Sequence, residues 1–271
     1  MIDFDKLLQG ERRYTFHSHT QFCDGHATME EMAAAAVAAD FRHYGFSPHS
    51  PIPFASPCNM RAADTAEYIE RAGEIRRRYA GRCNFLTGME VDYIDADWGP
   101  SSAYFRNLAL DFTIGSVHFI TDFEGEPVDI DGKFENFRRK MTDRFRSDID
   151  YVVDTFYRQS QAMLAAGGFD IMGHFDKVGQ NAAYYAPGIE DGSHYRACVD
   201  ALIDSIISSG VTVELNTKAY VAHGRMFPGE RYLPRLVAAG VPFVVNSDAH
   251  DPARIDASRA EGFAMLDRLR R

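Results

Sequence analysis

Seven short apolar runs alternate with helix-like segments along this chain, and that alternation restricts its fold more than any other feature. The runs cover residues 14–19, 43–47, 84–91, 112–118, 169–174, 211–216 and 241–246. Between the first two, Thr28-Met29-Glu30-Glu31 forms a capping box that opens an Ala-rich helix reaching about residue 39. Asp64 or Thr65 is placed to cap a helix ending near Tyr79. A long helical stretch over 134–166 is expected to break near Asp148. Helices over 195–209 and 233–239 stop at Gly210 and Gly240, and a last helix spans 258–269. Strand–helix alternation of this kind predicts a parallel sheet, closed or nearly so. No linker, repeat or low-complexity tract divides the chain, so residues 1–271 are read as one barrel.

In such barrels the chemistry gathers at the carboxyl ends of the strands, and there the chain carries nine potential metal ligands. His17 and His19 end the first run, and Asp248 and His250 follow the last. Strand side chains repeat every two residues, so each i, i+2 pair faces one way. Glu90 interrupts the apolar Thr87-Gly88-Met89-Glu90-Val91, where a carboxylate is expensive unless paired or metal-bound. His118 and His174 follow their own apolar runs, while Asp24 and His49 lie in loops. Histidine mixed with carboxylate suits zinc, manganese or iron better than calcium or magnesium, which prefer all-oxygen shells. His26, His43, His194 and His223 fit no strand-end pattern, and Cys23, lacking a local base, reads as a structural thiol.

Composition excludes several other readings. Four scattered cysteines with no C-x-x-C pair argue against a disulfide scaffold and for a reducing cytoplasm. A formal charge of −10 argues against a nucleic-acid face. Neither a signal peptide nor a membrane span is expected. The oligomeric state stays open.

In order, the motifs H-x-H, D-G, S-x-H-S-P, G-M-E-x-D, G-S-V-H, G-H-x-D, N-T-K and N-S-D-A-H resemble the PHP (polymerase and histidinol phosphatase) superfamily. Within it the chain looks most like stand-alone histidinol-phosphatases of the HisK/HisJ type. The resemblance implies a distorted (β/α)7 TIM-like barrel with two to three divalent transition-metal ions. By position, His17, His19, Glu90 and Asp248 would hold one ion. Glu90, His118 and His174 would hold a second, with Glu90 bridging, and Asp24, His49 and His250 a third. Pro48 departs from the pattern, since many relatives carry an Asp there, and an orienting carboxylate for the third ion is lost.

The implied reaction is hydrolysis of L-histidinol phosphate to L-histidinol and phosphate, a step of histidine biosynthesis. Metal hydroxide would attack in line, without a phosphoenzyme. Glu90, Asp248 and His250 are the expected catalytic groups. Arg158, matching an arginine of the family, is the first candidate for a phosphoryl clamp, with Lys218 and Arg225 as alternatives. Asp92 or Asp176 is a candidate partner for the substrate ammonium. The rival readings are a phosphoesterase for another small ester or nucleotide, an amidohydrolase-like deacylase, and a non-catalytic module. A deacylase barrel usually wants a carbamylated lysine where Glu90 stands, and an inactive module would be expected to have lost ligands.

Overall fold

The computed structural model describes residues 3–271. Four strands come first: β1 (Tyr14–Thr15), β2 (His43–Phe46), β3 (Asn84–Asp92) and β4 (Phe112–Ser116). An antiparallel hairpin of β5 (Phe119–Thr121) and β6 (Pro127–Asp129) follows, and then β7 (Ile171–Met172), β8 (Thr212–Asn216) and β9 (Phe243–Asn246). Leaving the hairpin aside, the seven strands form one parallel sheet in the order β1-β2-β3-β4-β7-β8-β9. With its helices this is the expected distorted (β/α)7 barrel.

Several strands are shorter than their apolar runs predict. β1 stops at Thr15 because beyond it the backbone bonds across the closing seam to side chains and loop. Phe16 N donates to Asn246 Oδ1 at 2.8 Å, and Ser247 N to Thr15 Oγ1 at 3.3 Å. Past that point Ser18 bridges Ala249, with His19 N donating to Ala249 O at 2.8 Å. Side chains and one bridge therefore close the barrel between β9 and β1. The hairpin and the short helices Phe4–Leu8, Ala103–Arg106, Val178–Tyr185 and Tyr220–His223 had no clear periodicity to announce them.

The helices follow their local signals more closely. Helix Met29–Ala38 opens on the capping box, with Glu31 N donating to Thr28 Oγ1 and Thr28 N to the Glu31 carboxylate. The break near Asp148 separates helices Phe134–Asp143 and Ile149–Ala166, and Asp148 Oδ1 caps the second by accepting from Tyr151 N. Asp64 does occupy the N-cap of helix Thr65–Arg78, yet its carboxylate turns to Arg61 and caps nothing.

Inside the barrel, toward the strand starts, Tyr14, Phe16, Leu86, Phe112, Ile114, Ile171 and Val244 pack with Phe4. The Phe112 ring lies so close to Gly45 and Gly88 that a Cβ would stand 2.6 and 2.2 Å from it, so both positions exclude a side chain. Larger apolar layers join the sheet to the outer helices on two sides. This packed floor forces the polar strand ends to the opposite mouth.

Candidate metal centre

Glu90, fully buried on β3, lies at the middle of that mouth. Its Oε2 faces His49 Nδ1 at 3.0 Å, His17 Nε2 at 3.1 Å and His19 Nε2 at 3.5 Å. Its Oε1 faces the other way, toward His174 Nε2 at 2.8 Å and His118 Nε2 at 3.4 Å, and accepts from Ser116 Oγ at 2.7 Å. One carboxylate thus divides the histidines into two sets. Asp248 Oδ1 lies 3.1 Å from His19 Nε2 and 3.8 Å from His17 Nε2. Its backbone takes the left-handed φ of 50°, a strain of about 1–3 kcal/mol of the kind that collects at functional sites.

Outside this core, Asp24 Oδ1 lies 3.3 Å from His250 Nε2, 3.7 Å from His19 Nδ1 and 3.8 Å from His49 Nε2. All nine predicted ligands fall into overlapping groups, among them His17-His19-Glu90, Glu90-His118-His174 and His19-Asp24-His49-His250. His17 Nε2, His19 Nε2, His49 Nδ1, His118 Nε2, Asp24 Oδ1 and Glu90 Oε2 are all buried without a hydrogen-bond partner. Buried polar atoms are rarely left so. Six of them converging on one mouth is the donor set that divalent cations satisfy.

Further carboxylates orient these rings from behind. Glu214 of β8, itself fully buried, meets His17 Nδ1 at 2.6 Å and accepts from Asn246 Nδ2, Asn216 Nδ2 and the His174 amide. Asp92 holds His118 Nδ1 at 2.7 Å and is fixed in turn by Asn59 Nδ2. Such partners set the ring angle and the free nitrogen of a metal-binding histidine. Glu214 was missed in the sequence, although it carries the same signal as Glu90: a lone carboxylate in an apolar strand.

The charges agree with this arrangement. Burial alone would raise the Glu90 carboxyl, but His17, His49 and His118 hold it well below the usual range. Asp248 is lowered likewise, against burial, by Lys218 and His17. Burial, with His250 and His49 nearby, keeps His19 well below its ordinary value, which leaves one ring nitrogen unprotonated. Burial opposes charge on His118 too, yet Asp92 and Glu90 push it up to about 9. A cation at Nε2 would displace that proton.

A cavity of about 500 Å³ opens onto the cluster, with Asp24, His49, Glu90, His118, Asp248 and His250 on its wall. His17, His19 and His174 lie buried beneath. Of the proposed phosphoryl clamps, only Lys218 reaches it: Nζ stands 3.2 Å from both Asp248 Oδ1 and His250 Nε2. Lys177 and Asp131, paired at 2.7 Å, also line the cavity, and no motif in the sequence pointed to them.

Four other candidates are placed less favourably. Arg158 is exposed, and its Nη2 donates only to Thr155 one turn back. Successive helix residues turn about 100°, so the stripe Val152, Val153, Phe156, Tyr157, Ser160 and Met163 that packs inward leaves Arg158 outside. Arg225 is engaged by Glu190 and Asp176 on the wall of a separate cavity of about 510 Å³. Asp92 reaches the metal cavity but is committed to His118, and Asp176, raised by burial to about 6, lies with Arg225.

The remaining residues fall where the chemistry allows. Burial pushes the Cys23 thiol up to about 12, in keeping with a structural group, and His19 Nδ1 lies 3.4 Å from its Sγ. Pro48 offers no carboxylate, but its carbonyl accepts from Glu90 N, and the following His49 ring packs against His19 and His118. His43, His194 and His223 lie beside Asn84, Asp154 and Tyr184 respectively, and His26 is exposed.

Comparison with known proteins points the same way. The PHP domain family matches residues 15–218. The chain is 27% identical over 268 residues to the "probable histidinol-phosphatase" of Deinococcus radiodurans, covering 94% of this chain and 90% of that protein. It is also 27% identical over 255 residues to the histidinol-phosphatase of Bacillus subtilis, covering 86% and 92%. Among solved structures it resembles a protein assigned as a histidinol phosphatase from Listeria monocytogenes, with a TM-score of 0.80 and 20% identity over 92% of this chain and 99% of that one. It also resembles the histidinol phosphate phosphatase of Lactococcus lactis, solved with zinc, L-histidinol and phosphate. There the TM-score is 0.71 and the identity 14%, over 95% and 94%. At those identities the two structures speak for the fold.

Proposed function

Because the chain belongs to the PHP domain family, we propose that it is a phosphomonoesterase that hydrolyses L-histidinol phosphate to L-histidinol and phosphate. The observation that carries this reading is the two-sided Glu90 carboxylate, with His17, His19 and His49 on one oxygen and His118 and His174 on the other. The names of the Deinococcus and Bacillus relatives, and the ligands of the Lactococcus enzyme, support the substrate.

His17, His19, Asp24, His49, Glu90, His118, His174, Asp248 and His250 hold two to three divalent transition-metal ions, zinc, manganese or iron. Bound there, such ions supply Lewis acidity for the phosphoryl oxygens and acidify the attacking water. The chain does the rest. Glu90 fixes the spacing of the two histidine sets. Glu214 and Asp92 hold the rings of His17 and His118, so the donor atoms are preorganised before substrate arrives. Lys218 places a positive charge beside Asp248 and His250 on the cavity wall, within reach of a phosphoryl oxygen. Asp248, kept ionised beside Lys218, and His250 stand on the cavity wall facing the substrate as ligands rather than as proton stores.

The test is phosphate release from histidinol phosphate and from a panel of other phosphomonoesters, before and after chelation and after each metal is returned. Release from histidinol phosphate that stops with chelator and recovers with metal is the expected result. Turnover of the panel without histidinol phosphate keeps the phosphatase and discards the substrate. No release with any metal sinks both.

A further inference from the structure

Arg158 and Arg225 do not line the metal cavity, whereas Lys218 and a second lysine, Lys177, stand on its wall. We propose that Lys177, braced by Asp131, is a phosphoryl clamp beside Lys218. This rests on the phosphatase reading above, which leaves the phosphoryl contact on its Lys177 side unassigned.

Three observations place Lys177 in that role. It follows the ligand His174 by three residues, and its amide donates to His174 O at 2.9 Å, so the turn that sets the ligand also sets the lysine. Its side chain is only 15% exposed, yet it lines the metal cavity together with Glu90, His118, Asp248 and Lys218. Its Nζ is held at 2.7 Å by Asp131, which leads out of the hairpin that begins beside His118. A lysine buried only to neutralise Asp131 needs no cavity in front of it.

Lys177 and Lys218 also share a second, smaller cavity of about 230 Å³ with Asp131 and Asp248. They therefore stand on a wall between two spaces, at the ends of the adjacent strands β7 and β8. An anion held between them has the metal ligands on one side and room for an organic group on the other. Lysine binds phosphate as a point charge, without the planar fork of arginine, so position matters more than orientation. Asp131 supplies that position. Its acceptor fixes one of three ammonium protons and leaves two for the ligand.

The experiment titrates inorganic phosphate into zinc-loaded protein by calorimetry, with bound metal counted and melting temperature recorded for each variant. Lys177→Met should weaken phosphate binding about 10- to 100-fold, the loss of one charge-assisted contact. Metal content should stay that of the wild type, and KM for histidinol phosphate should rise with the phosphate Kd. Lys177→Arg should recover most of the binding. Should Lys177→Met fail to fold with Asp131 left unpaired, the double variant K177M/D131N removes both charges and should show the same loss. Arg158→Met should bind as the wild type does. Undiminished binding by K177M/D131N overturns the clamp, and so does a loss that merely follows the metal content. Wild-type protein that binds phosphate but cleaves no monoester sinks the phosphatase reading alone, and wild-type protein that binds none overturns the clamp.

Discussion

The inner and outer halves of the metal centre are built differently. His17, His174, Glu90 and Asp248 are buried, and the side chains of His17, Glu90 and Asp248 are tied down from behind by Glu214, Ser116 and Asn216 respectively. His174 is also fixed through its amide, which donates to Glu214 Oε2. Asp24, His49 and His250 come from loops, with side chains 31%, 13% and 15% exposed; Asp24 links the two rings at 3.8 and 3.3 Å, and His49 also lies 3.0 Å from Glu90. Ligands already held in place lose little freedom on binding an ion, whereas loop ligands must still be ordered. On the proposed reading, the difference would give one centre both a tight and a labile position.

Substitutions that strike the two halves unequally test this. Glu90→Ala removes the group both halves share. It should cost about 10³-fold or more in kcat, the several kcal/mol that cation placement contributes, together with metal on both sides. A rate within tenfold of the wild type would break the picture of Glu90 as the common post. Glu214→Ala leaves His17 unsupported and should cost roughly 10–100-fold in activity or metal affinity, read by metal counting beside the rate. Asp24→Asn should remove one metal equivalent and slow turnover only about tenfold, at the low end of that range, with recovery in excess metal. If it harms as much as Glu214→Ala, the inner and outer halves are energetically one. Brief chelation should follow the same order, releasing an outer ion while the buried ones persist. At the bottom of the scale, Arg158→Met should change kcat/KM less than about twofold, as an exposed substitution away from the site does.

Strand-end position made most of the ligands legible, because a strand's direction and period fix where its last side chains point. Strand length was less legible: the ladder at β1 ends after two residues, where Asn246 and Thr15 side chains take over the backbone groups. That Glu214 and Asp92 stand behind the His17 and His118 rings shows only once distant strands are neighbours. Arg158 misled for a related reason, since a helix displays a charge equally well in sequence whichever way its packed stripe faces. Lys177 was hidden in a turn whose direction only His174 and the hairpin determine.

The bond from His19 N to Ala249 O joins residues at opposite ends of the chain. During synthesis, seven of the nine donors leave the ribosome by residue 174, and the last two only near residue 250. Until the final strand docks, the early histidines lack Asp248 and His250, and any ion they catch is held by an unfinished cage. The groups that use Asp248 or His250 would thus be completed only with the last strand, whereas Glu90, His118 and His174 are all present by residue 174, and a chain cut short before Asp248 would lack the cage's last two donors.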